Sequence, residues 1–126
     1  MERVHNRMDR VNELVRRVIS NIFLFREIDD PRLDFITILS VDVSKDLQHA
    51  KVKYSILSQK KEDIDTVAAL LQKHAGYVRK LVGQRVSIRY TPEIHFMFDR
   101  GLQHAALIDE RLKEIKELKG DGHEAA

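Results

Sequence analysis

Leu70-Leu71-Gln72-Lys73-His74-Ala75-Gly76-Tyr77-Val78-Arg79-Lys80-Leu81-Val82-Gly83 is the stretch on which the fold turns. Val67, Leu70, Leu71, the half-apolar His74, Val78, Leu81 and Val82 recur at helical spacing. Near the middle sits Gly76, a residue that costs a helix about 1 kcal/mol against Ala. At about 100° per residue Gly76 points away from the apolar stripe, and Lys73, Arg79 and Lys80 lie on or beside that outward face. Bare backbone ringed by cations suits close approach by phosphate. Gly76 marks a candidate break in the helical run at His74-Ala75-Gly76, while the apolar spacing runs straight through and also fits one uninterrupted helix.

The charge around this stretch is one-sided. No Asp or Glu occurs from Thr66 to Pro92, while Lys73, Arg79, Lys80, Arg85 and Arg89 do, giving +5 inside a chain of net charge +2. Elsewhere basic segments (residues 1–28 and 45–61) alternate with acidic ones (29–44 and 62–65). A fold that gathers the basic segments on one side would favour an anionic polymer as partner.

Upstream, the pattern is helical from about Asn6 to Ile28. Met8, Val11, Leu14, Val15, Val18, Ile19, Ile22 and Phe23 form an apolar stripe, and Arg3, Arg7, Arg10 and Arg17 fall along one flank. Those arginines either contact a ligand or form a solvated face paired with Asp9 and Glu13. The helix should end before Asp30-Pro31, because proline disfavours helix in the residue before it. Asp34 to Ser44 reads as a strand, with Phe35, Thr37, Leu39, Val41 and Val43 alternating against the partly apolar set Ile36, Ile38, Ser40 and Asp42, and should be covered on one face and central in the sheet. Ser44-Lys45-Asp46 is a turn, and Gln48 to Leu57 alternates again, with Ala50, Val52, Tyr54 and Ile56 opposite Lys51, Lys53 and Ser55. The two runs predict an antiparallel hairpin. Lys51 and Lys53 are either solubilising residues on an open sheet face or a contact surface.

Glu62, Asp63 and Asp65 suit the first turn of the helix that holds Gly76, and Gly83-Gln84 ends it. A third strand starts at Arg85, is interrupted at Thr91-Pro92 and resumes with Ile94, Phe96 and Phe98, the proline arguing for an edge or a bulge. Leu102, Ala105, Ile108, Leu112, Ile115 and Leu118 give a last helix, and residues 119–126 a disordered tail. The expectation is a two-layer α+β sandwich forming one domain over residues 1–118.

Chemistry is conspicuous by its scarcity. The chain has no Cys, so thiolate metal sites, disulfides and cysteine catalysis are excluded. Neither Gly-x-x-x-x-Gly-Lys-Ser/Thr nor Gly-x-Gly-x-x-Gly occurs. The six His are scattered, and His95 with Asp99 and His104 is only a faint hydrolase-like grouping; no metal or cofactor is expected. The first residues lack the apolar run of a signal peptide and no stretch approaches the ~18 apolar residues of a membrane helix, so a cytoplasmic location is expected; the expected state is a monomer. With aromatics at 6%, base-stacking platforms are unlike this chain, and contacts to phosphate fit better. The candidate RNA contacts are Lys73, Gly76, Arg79, Lys80, Arg85 and Arg89, the helical Arg3, Arg7, Arg10 and Arg17, and Lys51 and Lys53. An alternative is a protein-interaction module using the apolar stripe of the last helix.

Several runs, in order, resemble the ribosome-binding factor A family: Asp30-Pro31-Arg32, Ile36-Thr37-Ile38, Val41-Asp42-Val43-Ser44-Lys45-Asp46-Leu47, Ala50-Lys51-Val52, Gly76-Tyr77-Val78-Arg79-Lys80-Leu81, and Arg89-Tyr90-Thr91-Pro92-Glu93-Ile94-His95-Phe96 with Asp99. The resemblance implies a type II KH-like fold (α-β-β-α-kink-α-β) with an added C-terminal helix, in which a small-x-Gly kink replaces the usual Gly-x-x-Gly loop. It implies no enzymatic activity, and binding to the immature small (30S) ribosomal subunit and its 16S rRNA near the decoding region. It further implies a role in late maturation and rRNA processing, and in cold adaptation. The chain has His74-Ala75-Gly76 where the family usually has Ala-x-Gly, and after Asp99 it has Gly101 and Ala105 where the family's usual Ser and later Gly stand.

Overall fold

The structure, a computed structural model, describes residues 6–100. Its elements are α1 (Arg7–Leu24), a 3-10 turn (Pro31–Leu33), β1 (Thr37–Val43), β2 (His49–Ser55), α2 (Lys61–Arg85) and β3 (Glu93–Phe98). The last helix and the tail expected from the sequence lie outside the described residues.

Helix α1 starts where the sequence puts it, and the reason is a capping box. Asn6 Oδ1 accepts from the Asp9 amide at 2.8 Å, and the Asp9 carboxylate accepts from the Asn6 amide at 3.4 Å. The helix stops at Leu24 rather than near Ile28. The Glu27 amide donates to the Ile22 carbonyl at 2.9 Å and the Arg26 amide to the Phe23 carbonyl at 3.2 Å. This is a Schellman ending with Arg26, at φ 53°, in the left-handed position that glycine usually fills. With no glycine to mark it, the ending is invisible to composition. Asp30 then caps the 3-10 turn through the Arg32 amide.

The three strands lie in the order β1-β2-β3, with β1 and β2 antiparallel and β2 and β3 parallel. The hairpin expected from the sequence is present, but β2 is the central strand and β1 an edge, contrary to the central position read from its apolar content. The apolar residues in both alternating sets come instead from a register shift between Ile38 and Ser40. One extra residue, Leu39, lets Ile38, Val41 and Val43 all face the helices, so both alternating sets supply the one covered face, as expected. Helix α1 packs on β1 and α2 on β3, both on one side of the sheet. Between the layers lie Val15, Ile19 and Ile22 of α1, Val67, Leu71, Val78 and Val82 of α2, and Ala50, Val52, Tyr54 and Ile94 of the sheet. Burial pushes the pKa of the Tyr54 phenol up.

Helix α2 runs unbroken from Lys61 to Arg85. One helix rather than two spans His74-Ala75-Gly76, with Val67, Leu70, Leu71, Val78, Leu81 and Val82 on one buried face across Gly76. The strand expected from Arg85 is likewise shorter: β3 begins at Glu93. Part of the backbone of residues 86–92 bonds outside the sheet. The Val86 amide returns to the Val82 carbonyl, the Ile88 amide bonds the Val86 carbonyl, and the Thr91 carbonyl takes the Arg79 guanidinium. Pro92 has no amide to offer. The two-layer α+β arrangement inferred from the sequence is the one observed.

Candidate nucleic-acid interface

Where the N-terminal half of α1 passes the β1–β2 turn, the segment 87–89 closes a cleft of about 710 Å³. Arg7 and Arg10 line it from α1, Lys45 from the turn and Arg89 from the segment before β3. Met8, Val11, Leu14, Leu47 and Ile88 give it an apolar floor, and no carboxylate lines it. The turn that delivers Lys45 is tightly built. Ser44 Oγ donates to Asp46 Oδ1 at 2.7 Å and accepts from the Gln48 and His49 amides. That hydroxyl is the main cause of an Asp46 pKa below the ordinary carboxylate value. Leu47 takes a left-handed φ of 63° and packs its side chain against the core. Arg7, Arg10 and Arg89 were legible as candidates; Lys45 was not, because a lone lysine in a turn is ordinary until the fold sets it opposite Arg10.

A second group of candidates sits on α2. Lys73, Gly76 and Lys80 fall at positions i, i+3 and i+7 and are all exposed, with the half-exposed Tyr77 beside them. A Cβ built on Gly76 meets nothing within 4 Å, so the glycine is not required by packing. Among the described residues, neither Lys73 nor Lys80 pairs with a carboxylate.

Other candidates are engaged within the fold. Arg79 donates to the Thr91 carbonyl at 2.9 and 3.2 Å, tying α2 to the segment before β3. Arg85 grips Glu27 with two hydrogen bonds of 2.5 and 2.8 Å, joining the ends of α1 and α2. The same bonds lower the Glu27 pKa and raise that of Arg85. Arg17 lies 3.5 Å from Glu13, which is bound more closely by Arg16. These partners are 12, 58 and 4 residues away, and only the last was visible in the sequence. Lys51 and Lys53 stand on the open sheet face, away from the helix layer, with Asp42 and Ser40 as their cross-strand neighbours. Arg3 lies outside the described residues. The basic residues therefore form a cleft and a helix face, linked by the Arg79–Thr91 bond and residues 89–91, with Lys51 and Lys53 on another side.

The open face also carries a grouping the sequence did not suggest. His49 of β2 meets Glu93 and His95 of β3, three exposed side chains with converging polar atoms. The signal was present only as a Glu-x-His pair on one strand and a His 44 residues earlier; parallel pairing brings them together. His104, grouped with His95 and Asp99 in the sequence, is outside the described residues.

Residues 7–112 match the family model described as "Ribosome-binding factor A". A ribosome-binding factor A of Halothermothrix orenii is 49% identical over 111 residues, spanning 88% of this chain and 89% of the relative. The crystal structure of ribosome-binding factor A from Thermus thermophilus superposes with a TM-score of 0.64 at 19% identity, over 76% of this chain and 100% of that one. A homology model of the Thermus thermophilus factor, fitted into a cryo-EM map of a 30S–RbfA complex, has a TM-score of 0.56 at 21% identity, over 68% of this chain and 88% of that one. These likenesses agree with the KH-like, type II order of elements described above. The chain belongs to the ribosome-binding factor A family.

Proposed function

We propose that the protein is a non-catalytic assembly factor of the cytoplasm. In this reading it binds the immature small ribosomal subunit through 16S rRNA and supports late maturation and rRNA processing. Family membership supports the partner, since the Thermus relative has been fitted into a map of a 30S complex. The observation that carries the RNA reading is the cleft lined by Arg7, Arg10, Lys45 and Arg89 without a carboxylate. Phosphate is the group that such a cleft attracts, and neutralising it releases counterions, which makes binding strong and salt-sensitive. The exposed Lys73-Gly76-Lys80 face of α2 extends the surface, and a phosphate could approach its backbone at Gly76. Arg79 and Arg85 act in this reading by holding the segment before β3 and the end of α1 in place.

Co-sedimentation with small subunits tests the proposal. R10E/R89E and K73E/K80E are each expected to weaken binding more than tenfold while the thermal transition stays near that of the parent, because all four side chains are exposed and unpaired with acids among the described residues. Undiminished co-sedimentation of both double variants would overturn it.

A further inference from the structure

We propose that His49, Glu93 and His95 form a binding site for a divalent transition-metal ion of the zinc type. Parallel pairing sets His49 opposite Glu93, and Glu93 and His95 lie two residues apart on one strand, hence on one face of the sheet. His49 Nδ1 is 3.1 Å from His95 Nε2, and the Glu93 carboxylate oxygen Oε1 is 3.7 Å from the first and 3.6 Å from the second. Three ligand atoms thus form a nearly equilateral triangle. In a tetrahedral zinc site with bonds of about 2.0–2.1 Å, neighbouring ligand atoms are about 3.4 Å apart. An ion could be seated by small side-chain adjustments, with the fourth position facing solvent.

The donor set narrows the class of ion. Two imidazoles and one carboxylate suit zinc and its neighbours, whereas magnesium and calcium prefer oxygen ligands. Without an ion, the 3.1 Å approach of the two rings is accounted for by a hydrogen bond from one imidazole to the other, which requires at least one ring to be neutral. Neutral imidazole is also the form that binds metal. The charges around the group are mixed. Lys51 is the register neighbour of His95 and is itself opposite Asp42. Arg79 lines a small cleft with His49 and Glu93, and its guanidinium is committed to the Thr91 carbonyl. Nothing in this group overlaps the cleft of Arg7, Arg10, Lys45 and Arg89, so the proposal stands apart from the RNA reading.

The test is a titration of the full chain with Zn2+ by calorimetry and with Co2+ by visible absorption. One ion per chain is expected, with the intense d–d absorption of four-coordinate cobalt. H49A, H95A and E93Q are each expected to weaken binding more than about tenfold, since even residues that only support metal ligands are commonly worth that much. The side chains are exposed, so the metal-free variants should unfold at the parent's temperature. H5A/H104A/H123A, which removes imidazoles elsewhere in the chain, should leave the stoichiometry and affinity unchanged. Failure to bind one ion, or binding as tight in H49A and H95A as in the parent, would overturn the proposal.

Discussion

Gly76 and Gly83, one on each side of Lys80, make opposite demands on the same helix. Open space surrounds a Cβ at Gly76, so alanine there gains helix propensity and meets nothing. At Gly83 the added Cβ would lie 2.8 Å from Thr91 Oγ1 and 3.3 Å from its Cγ2. Thr91 cannot simply withdraw, because Arg79 holds its carbonyl. G76A should therefore raise the unfolding free energy by about 0.5–1 kcal/mol. G83A should lower it by about 1–2 kcal/mol, the overpacking cost exceeding the same propensity gain. Urea denaturation of the two variants decides this, and T91A should recover much of the loss in G83A. Gly83 was legible only as a helix terminus; its packing role depends on a residue outside the helix. Asp30 gives a second residue-scale prediction. The Arg32 guanidinium and amide hold its carboxyl at about 2, against an ordinary 3.8. A depressed pKa stabilises the fold above the unfolded-state value and loses that contribution as pH falls through the folded one. D30N keeps a side-chain oxygen for the Arg32 amide but not the charge. The difference in thermal midpoint between parent and D30N should be constant above about pH 5 and shrink between about pH 4 and 2. A difference that persists unchanged at pH 2 would refute this assignment.

At the scale of elements, the two helices differ in how they begin. Asn6 gives α1 a reciprocal capping box, whereas Lys60 at the head of α2 makes no side-chain cap bond and places a cation at the positive end of the helix dipole. Its backbone is already extended, at φ −75° and ψ 135°, as a cap requires. K60S should accordingly raise the unfolding free energy by about 0.5–1 kcal/mol, measured by thermal or urea unfolding, with no change in binding to small subunits. Sequence patterning located every described α-helix and strand because each buries one continuous apolar face. It misplaced boundaries where the deciding bond is non-local or uses an atypical residue. Helix α1 ends on an arginine in the left-handed region, β1 shifts its alternation through an added Leu39, and β3 begins only after Pro92, which has no amide, and Thr91, whose carbonyl bonds Arg79. Gly76 looked like an interruption because propensity is local; the shared buried face of Leu71 and Val78 outweighs it.

For the whole molecule, the question is which side meets the nucleic acid. The basic residues were plain in the sequence, above all the acid-free run from Thr66 to Pro92, but their division among surfaces was not. Arg79 and Arg85 belong to the internal framework, Lys51 and Lys53 to the open sheet, and Arg7, Arg10 and Arg89 join Lys45 in a cleft. Net charge does not distinguish these positions, since each lysine or arginine contributes equally to the long-range field. Ion release does, because only cations that displace counterions from phosphate contribute to the salt dependence of the binding constant. If the cleft is the docking side, R10Q/R89Q should weaken binding to small-subunit rRNA and flatten the plot of log K against log salt. Two lost phosphate contacts should reduce the slope by roughly 1.4–1.8, at about 0.7–0.9 for each contact. K51Q/K53Q removes the same charge from the open face and should leave the slope within about 0.3 of the parent's. A larger change of slope in K51Q/K53Q than in R10Q/R89Q would place the rRNA on the open sheet face and reverse the proposed orientation.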